Sequence, residues 1–145
     1  MTNLIIRNAS LDDIDDIINL ENSFASEIYS KEELIKMIGL DYYQFLIAEI
    51  DKKVVGYLCA TIIFDNCDIL KIIVNQDFQR NGIGRELVLA LKKICKGLNV
   101  KKIQLEVSVE NIKAISFYEN LGFKYVYLRQ QYYNGIDAKI YEMSV

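Results

Sequence analysis

Gln79-Arg80-Asn81-Gly82-Ile83-Gly84-Arg85 is a polar, glycine-containing loop set between an apolar run and an amphipathic stripe. Its natural chemistry is anion binding. The first turn of a helix has N–H groups with no intrahelical partner, and the macrodipole places partial positive charge there. Gly82 and Gly84 carry no Cβ, so a bulky anion can approach their backbone closely. Arg80 and Arg85 flank them and can add charge-assisted bonds to phosphate oxygens. The loop reads as a pyrophosphate cradle; the plainer reading is a tight turn ahead of a helix. It is not a Walker loop, because no G-x-x-x-x-G-K-[ST] is present. A dinucleotide fingerprint would want a third small residue where Leu87 stands.

A second group of residues shares one helical spacing. Asn111, Ala114, Ile115 and Tyr118 are offset by three, four and seven residues, which puts them on one face. Asn111 can cap that helix or bond a ligand. Tyr118 can aim its hydroxyl at a ligand channel or sit in the core as one of ten tyrosines. The chain has no histidine, which excludes His-based triads and His metal sites. Any general base must be a carboxylate, a tyrosine, a lysine, a cysteine or a bound water.

The elements that must position these residues follow from periodicity. Ile69, Leu70, Ile72, Ile73 and Val74, broken only by Lys71, predict a central strand buried on both faces. Ile83, Leu87, Leu91, Ile94, Cys95 and Leu98 form the stripe of the following helix. Ahead of this unit the sequence predicts a strand at Leu4–Arg7 and a helix from a Ser10 cap to about Ser23. A second helix runs from the Ser30–Glu33 capping box to about Leu40. Strands at Phe45–Ile50 and Val54–Phe64 come next, with turns at Asp51-Lys52 and Asp65-Asn66. After it, Ile103, Leu105, Val107 and Val109 alternate with Gln104, Glu106 and Ser108, the period of a strand with two unlike faces. Asn111 opens a fourth helix that Gly122 ends. Strands at Phe123–Tyr132 and Ala138–Met143 close the chain around an Asn134-Gly135 turn.

Composition sets the bounds. The 145 residues suit a single domain, and 52% hydrophobic content is enough for a full core. The net charge of −3 argues against a nucleic-acid binder held by phosphate contacts. Lys92, Lys93, Lys96, Lys101 and Lys102 read as a solvated helix end. No apolar run is long enough for a membrane span and no signal peptide is legible. Cys59, Cys67 and Cys95 lack metal-ligand spacing and read as reduced thiols, so no metal and a cytoplasmic location are expected.

Q-x-x-G-x-G, Gln79 to Gly84, resembles the acetyl-CoA loop of the GNAT superfamily of N-acetyltransferases. The element order resembles that fold along the whole chain. The resemblance implies one acetyltransferase domain over 1–145: an α/β (α+β) fold with a mixed, mostly antiparallel central sheet and about four helices. Leu105–Phe123, LEVSVENIKAISFYENLGF, and Tyr132–Ala138, YYNGIDA, are similar to bacterial ribosomal-protein-alanine N-acetyltransferases. By that resemblance Glu106 is a base acting through water and Tyr118 the acid for the departing thiolate. Gln79, Arg80, Asn81, Gly82, Ile83, Gly84, Arg85 and Asn111 would hold acetyl-CoA. The backbone of Ile72, Ile73 and Val74 would bond its pantetheine arm, unless that segment is a plain core strand.

Tyr29, Tyr132 and Tyr133 fall where the acceptor groove would be. Glu27-Ile28-Tyr29-Ser30 departs from the His-Pro-Trp-like segment common in that family. An α-amino group of pKa roughly 7.7–8.0 is about one-tenth neutral at pH 7, whereas a lysine near 10.4 is almost wholly charged. A water-relayed carboxylate therefore suits a protein N-terminus, and the resemblance points to the N-terminal alanine of a small-subunit ribosomal protein. A lysine or a small-molecule amine is the alternative acceptor. The alternative of another class is a non-catalytic acyl-CoA-binding or interaction subunit.

Overall fold

The computed structural model describes residues 3–24, 28–79, 81–130 and 135–145. The strands are β1 (Leu4–Asn8), β2 (Tyr43–Ile50), β3 (Lys53–Ile63), β4 (Asn66–Val74), β5 (Lys102–Ser108), β6 (Lys124–Arg129) and β7 (Ala138–Ser144). The helices are α1 (Ile14–Phe24), α2 (Lys31–Ile38), α3 (Ile83–Gly97) and α4 (Ile112–Asn120). The strands form one sheet in the order β1-β2-β3-β4-β5-β7-β6. Every neighbouring pair is antiparallel except β4 and β5. The mixed, mostly antiparallel sheet with four helices is the expected fold.

The expected caps form. Ser30 Oγ accepts from the Glu33 N–H at 3.1 Å and Glu33 Oε1 accepts from the Ser30 N–H at 3.1 Å, which satisfies two orphan donors of α2. Ser10 caps a single 3₁₀ turn, Leu11–Asp13, that leads into α1. Arg7 of β1 grips Asp13 through two bonds of 2.8 Å and also reaches Glu49 of β2 at 3.0 Å. That planar fork ties the start of the α1 unit to the sheet. One hairpin differs from expectation. The chain turns at Phe64 and Asp65, one residue earlier than predicted, with Phe64 at φ 55°.

The two sheet faces bury separate cores. On one, Leu58, Ala60, Ile69, Leu105 and Val107 pack with Leu87, Leu91 and Cys95 of α3. On the other, Phe45, Ile47, Tyr57, Cys59 and Ile73 pack with Ile17 and Leu20 of α1 and Leu34 and Met37 of α2.

The feature that matters for function is a split in the sheet. β4 and β5 pair only at Cys67–Ile69 with Ile103–Leu105. Beyond that, Leu70–Val74 stay on β3 while Glu106–Ser108 stay on β7. Lys71 pairs Cys59 and Ile69 pairs Ala60, so Leu70 is an extra residue in β4, a bulge at the point where the strands part. A bulge bends its strand and increases local twist. The opening is built into β4.

Candidate active site

The split opens into a cleft of about 690 Å³. Its walls are β4 (Leu70–Val74), β5 (Glu106–Ser108), the start of α3 and one face of α4. Of the residues expected from sequence, the cleft brings together Ile72, Ile73, Val74, Gln79, Gly82, Ile83, Gly84, Arg85, Glu106, Asn111 and Tyr118. Asn81 and Tyr29 do not line it. Arg80, Tyr132 and Tyr133 lie outside the described residues.

The start of α3 has the features an anion needs. Asn111 and Ser30 cap α4 and α2 with side-chain oxygens, but Gly82 at the head of α3 offers no side chain. The first-turn N–H groups of a fifteen-residue helix are therefore left for a ligand at the cleft wall. Gly82 has φ +77° and a Cβ built there would meet nothing within 4 Å. Here glycine supplies the backbone conformation and leaves the approach open. Gly84 is different. A Cβ there would lie 2.8 Å from Phe117 Cζ, so its bareness lets α4 pack against α3. Gly84 therefore has a packing role that the sequence did not suggest, while its backbone still lines the cleft.

The polar side chains of the loop mostly staple it. Gln79 Nε2 donates to the Val74 carbonyl at 3.2 Å, closing the loop onto the end of β4. Asn81 Nδ2 donates to the Phe78 carbonyl at 3.2 Å. Asn111 Oδ1 accepts from the Ala114 N–H at 3.1 Å, so its carbonyl is the α4 cap while the residue still lines the cleft. Both sequence readings of Asn111 are compatible: the oxygen caps, and the amide N–H₂ remains a donor.

Glu106 and Tyr118 reach the cleft from different sides. Ile103, Leu105 and Val107 point into the α3-side core, so the alternation puts Glu106 on the opposite face. Its carboxylate meets Arg129 of β6 at 3.4 Å. Tyr118 comes from α4 and packs against the α3-side core, edge-on to Phe117 and Phe123 at 5.5 and 6.1 Å. Burial pushes its phenol above the ordinary tyrosine value, so it holds its proton at neutral pH. A protonated phenol and a carboxylate on opposite sides of one slot can give and take protons at a group passing through it.

Sequence reading missed the other cleft residues. Phe117 and Leu121 extend the Ala114–Tyr118 face by helical spacing and were open to the same argument. Lys71 was not. It lines the cleft, and its Nζ sits 3.1 Å from Glu21 Oε2 and 4.0 Å from the Tyr29 ring centre. Glu21, fully buried, also accepts from the Tyr57 hydroxyl in a short bond and from the Tyr29 N–H at 2.8 Å. Tyr29 thus adjoins the cleft through Lys71, and burial pushes its phenol up to about 12. Among the described residues no group of His, Cys, Asp or Glu comes together to hold a metal ion.

Residues 12–123 match the family model described as the acetyltransferase (GNAT) family. The chain belongs to the GNAT family. It is an acetyl-CoA-dependent N-acetyltransferase. It is 35% identical to an N-alpha-acetyltransferase of Sulfurisphaera tokodaii, over 92% of this chain and 88% of that one. It is 29% identical to the ribosomal protein bS18-alanine N-acetyltransferase of Escherichia coli, over 77% of this chain and 74% of that one. The crystal structure of that E. coli enzyme superposes with a TM-score of 0.84 at 25% identity, covering 98% and 94% of the two chains. An N-acetyltransferase of Thermoplasma acidophilum solved in complex with coenzyme A shares the fold at TM-score 0.81 and 24% identity, over 98% and 99% of the chains. In this GNAT enzyme the uncapped α3 terminus, with Gly82 and Arg85, is the part of the cleft whose donors fit a pyrophosphate.

Proposed function

We propose that this enzyme is an N-alpha-acetyltransferase acting on a protein N-terminus. The observation that carries the reading is the two-sided slot: Tyr118 on the α3 side of the sheet and Glu106 on the other, both on the cleft between β4 and β5. Acetyl-CoA supplies an activated acetyl group. Gly82, Ile83, Gly84 and Arg85 bind its pyrophosphate, with Arg80 at the same loop, and Gln79 and Asn81 hold that loop in shape. Asn111 adds a donor. The backbone edge of Ile72–Val74, unpaired on the β5 side, aligns the pantetheine arm.

The acceptor amine enters from the face that carries α1 and α2. Glu106 takes its proton through water, and Tyr118 protonates the sulfur that leaves. Tyr29 flanks the acceptor path through Lys71, and Tyr132 and Tyr133, which come after β6 in the sequence, join it in binding the acceptor. An α-amino group suits this machinery because about a tenth of it is neutral at pH 7 before any base acts. The relatives named for N-alpha and ribosomal-alanine acetylation support an alanine-starting ribosomal protein as acceptor. The reading includes one domain over 1–145 and work in the cytoplasm; among the described residues no helix is long and apolar enough to cross a membrane.

The test is mass spectrometry of protein N-termini in cells with and without this enzyme. Loss of acetylation on an alanine-starting ribosomal protein supports the reading. Unchanged N-termini together with lost lysine or small-amine acetylation would replace it.

A further inference from the structure

The base of the proposed reaction needs an orienting partner. Glu106 stands on a strand with its neighbours Gln104 and Ser108 on the same face, and its side chain is 38% exposed. A glutamate in that position has three rotatable bonds, and the groups that bond its carboxylate set its direction. For a water-relayed base the direction of the carboxylate decides the rate, since misplacement by about an ångström can cost on the order of a hundredfold.

Arg129 is placed to supply that direction. It ends β6, two strands away from β5, with β7 between them. In register, Arg129 faces Ala138 of β7, and Ala138 in turn faces Ser108 of β5. Ala138 and Ser108 are small, so the arginine can lie across β7 without a bulky side chain beneath it. It spans the intervening strand and brings Nη1 to 3.4 Å from Glu106 Oε2. Arg129 does not line the cleft, whereas Glu106 does. The guanidinium therefore approaches the carboxylate from outside the slot.

We infer that Arg129 is a positioning residue for Glu106, holding its carboxylate toward the cleft from the far side of β7. This rests on the reading of Glu106 as the base. An exposed ion pair of this geometry adds little to stability, so its effect is on the reaction. Arg129 touches neither substrate directly and leaves acetyl-CoA binding alone.

The experiment is a double-mutant cycle with Arg129→Gln, Arg129→Lys, Glu106→Gln and the Glu106→Gln/Arg129→Gln pair. It reads kcat and KM on a peptide with a free N-terminal alanine, acetyl-CoA Kd by calorimetry and Tm. Arg129→Gln is expected to lower kcat roughly ten- to hundredfold, the scale of a misplaced group, with acetyl-CoA Kd and Tm unchanged. Arg129→Lys should recover part of the loss. In the Glu106→Gln background Arg129→Gln should add nothing, since residues acting as one unit are non-additive. A crippled Glu106→Gln with a normal Arg129→Gln overturns the positioning role alone. Equal losses from Arg129→Gln in both backgrounds overturn it as well. A Glu106→Gln enzyme with normal kcat overturns the base reading, and the role of Arg129 with it.

Discussion

Gly84 of α3 and Phe117 of α4 are in such close contact that a Cβ on the glycine would lie 2.8 Å from the ring. The glycine is therefore a packing requirement. The contact lies in the cleft wall, since both residues line it. Gly84→Ala should force Phe117 to move and lower Tm, and Phe117→Leu in the same chain should restore part of it. Gly82→Ala should cost stability for a different reason. It pays roughly 1–2 kcal/mol for the left-handed backbone but meets no neighbour. Its larger effect should be weaker acetyl-CoA binding by calorimetry. Failure of Phe117→Leu to rescue Gly84→Ala, or an equal rescue of Gly82→Ala, would contradict the distinction.

Tyr118→Phe removes one hydroxyl that has no hydrogen-bond partner among the described residues. Stability and acetyl-CoA affinity should therefore stay close to wild type. If the phenol is the acid, kcat should fall by ~10²–10⁴, the usual worth of general-acid help. Rapid-quench measurement of the acetyl-transfer step checks this. Near-normal kcat would leave Tyr118 as a core aromatic.

Much of this site could be read before the structure, and the limits have physical causes. The loop Gln79–Arg85 announced itself because glycines and arginines before an amphipathic stripe are a local signal. The alternation around Glu106 likewise fixed its face. The split was not legible, because which residues of β4 leave β5 depends on pairing between strands more than thirty residues apart. Lys71 interrupts an apolar run for a reason that sits at Glu21, fifty residues earlier. Gly84 owed its place to Phe117, and only the packed helices reveal it.

The Glu21–Lys71 pair gives a stability prediction. Glu21 is fully buried, and Lys71 supplies its cationic partner at 3.1 Å. Among the described residues, Lys71→Met should leave the carboxylate with the Tyr57 hydroxyl and the Tyr29 N–H, at a cost of about 3–5 kcal/mol as for other broken buried pairs. Adding Glu21→Gln should recover much of that loss. Urea unfolding of the three variants measures it. A Lys71→Met protein as stable as wild type would contradict the prediction.

Asp13 sets an acid limit. The Arg7 guanidinium holds its carboxyl below the usual range, with burial opposing and the Ser10 N–H assisting. A depressed folded-state value contributes stability that is full above the unfolded value near 3.9 and is lost as pH falls through the folded one. The stability difference between wild type and Asp13→Asn should be constant from pH 7 to about 5 and shrink at lower pH. Urea midpoints across that range report it, and a difference that grows on acidification would reverse the sign.

The most direct measurement is acetyl transfer at pH 7 to two peptides of matched composition. One carries a free N-terminal alanine and no lysine; the other has a blocked N-terminus and a single internal lysine. With acetyl-CoA and wild-type enzyme, the expected result is rapid single acetylation of the first, little or none of the second, and loss of that activity in Glu106→Gln. Acetylation of the lysine peptide at an equal or higher rate would contradict N-alpha specificity and leave an acetyltransferase of another acceptor class.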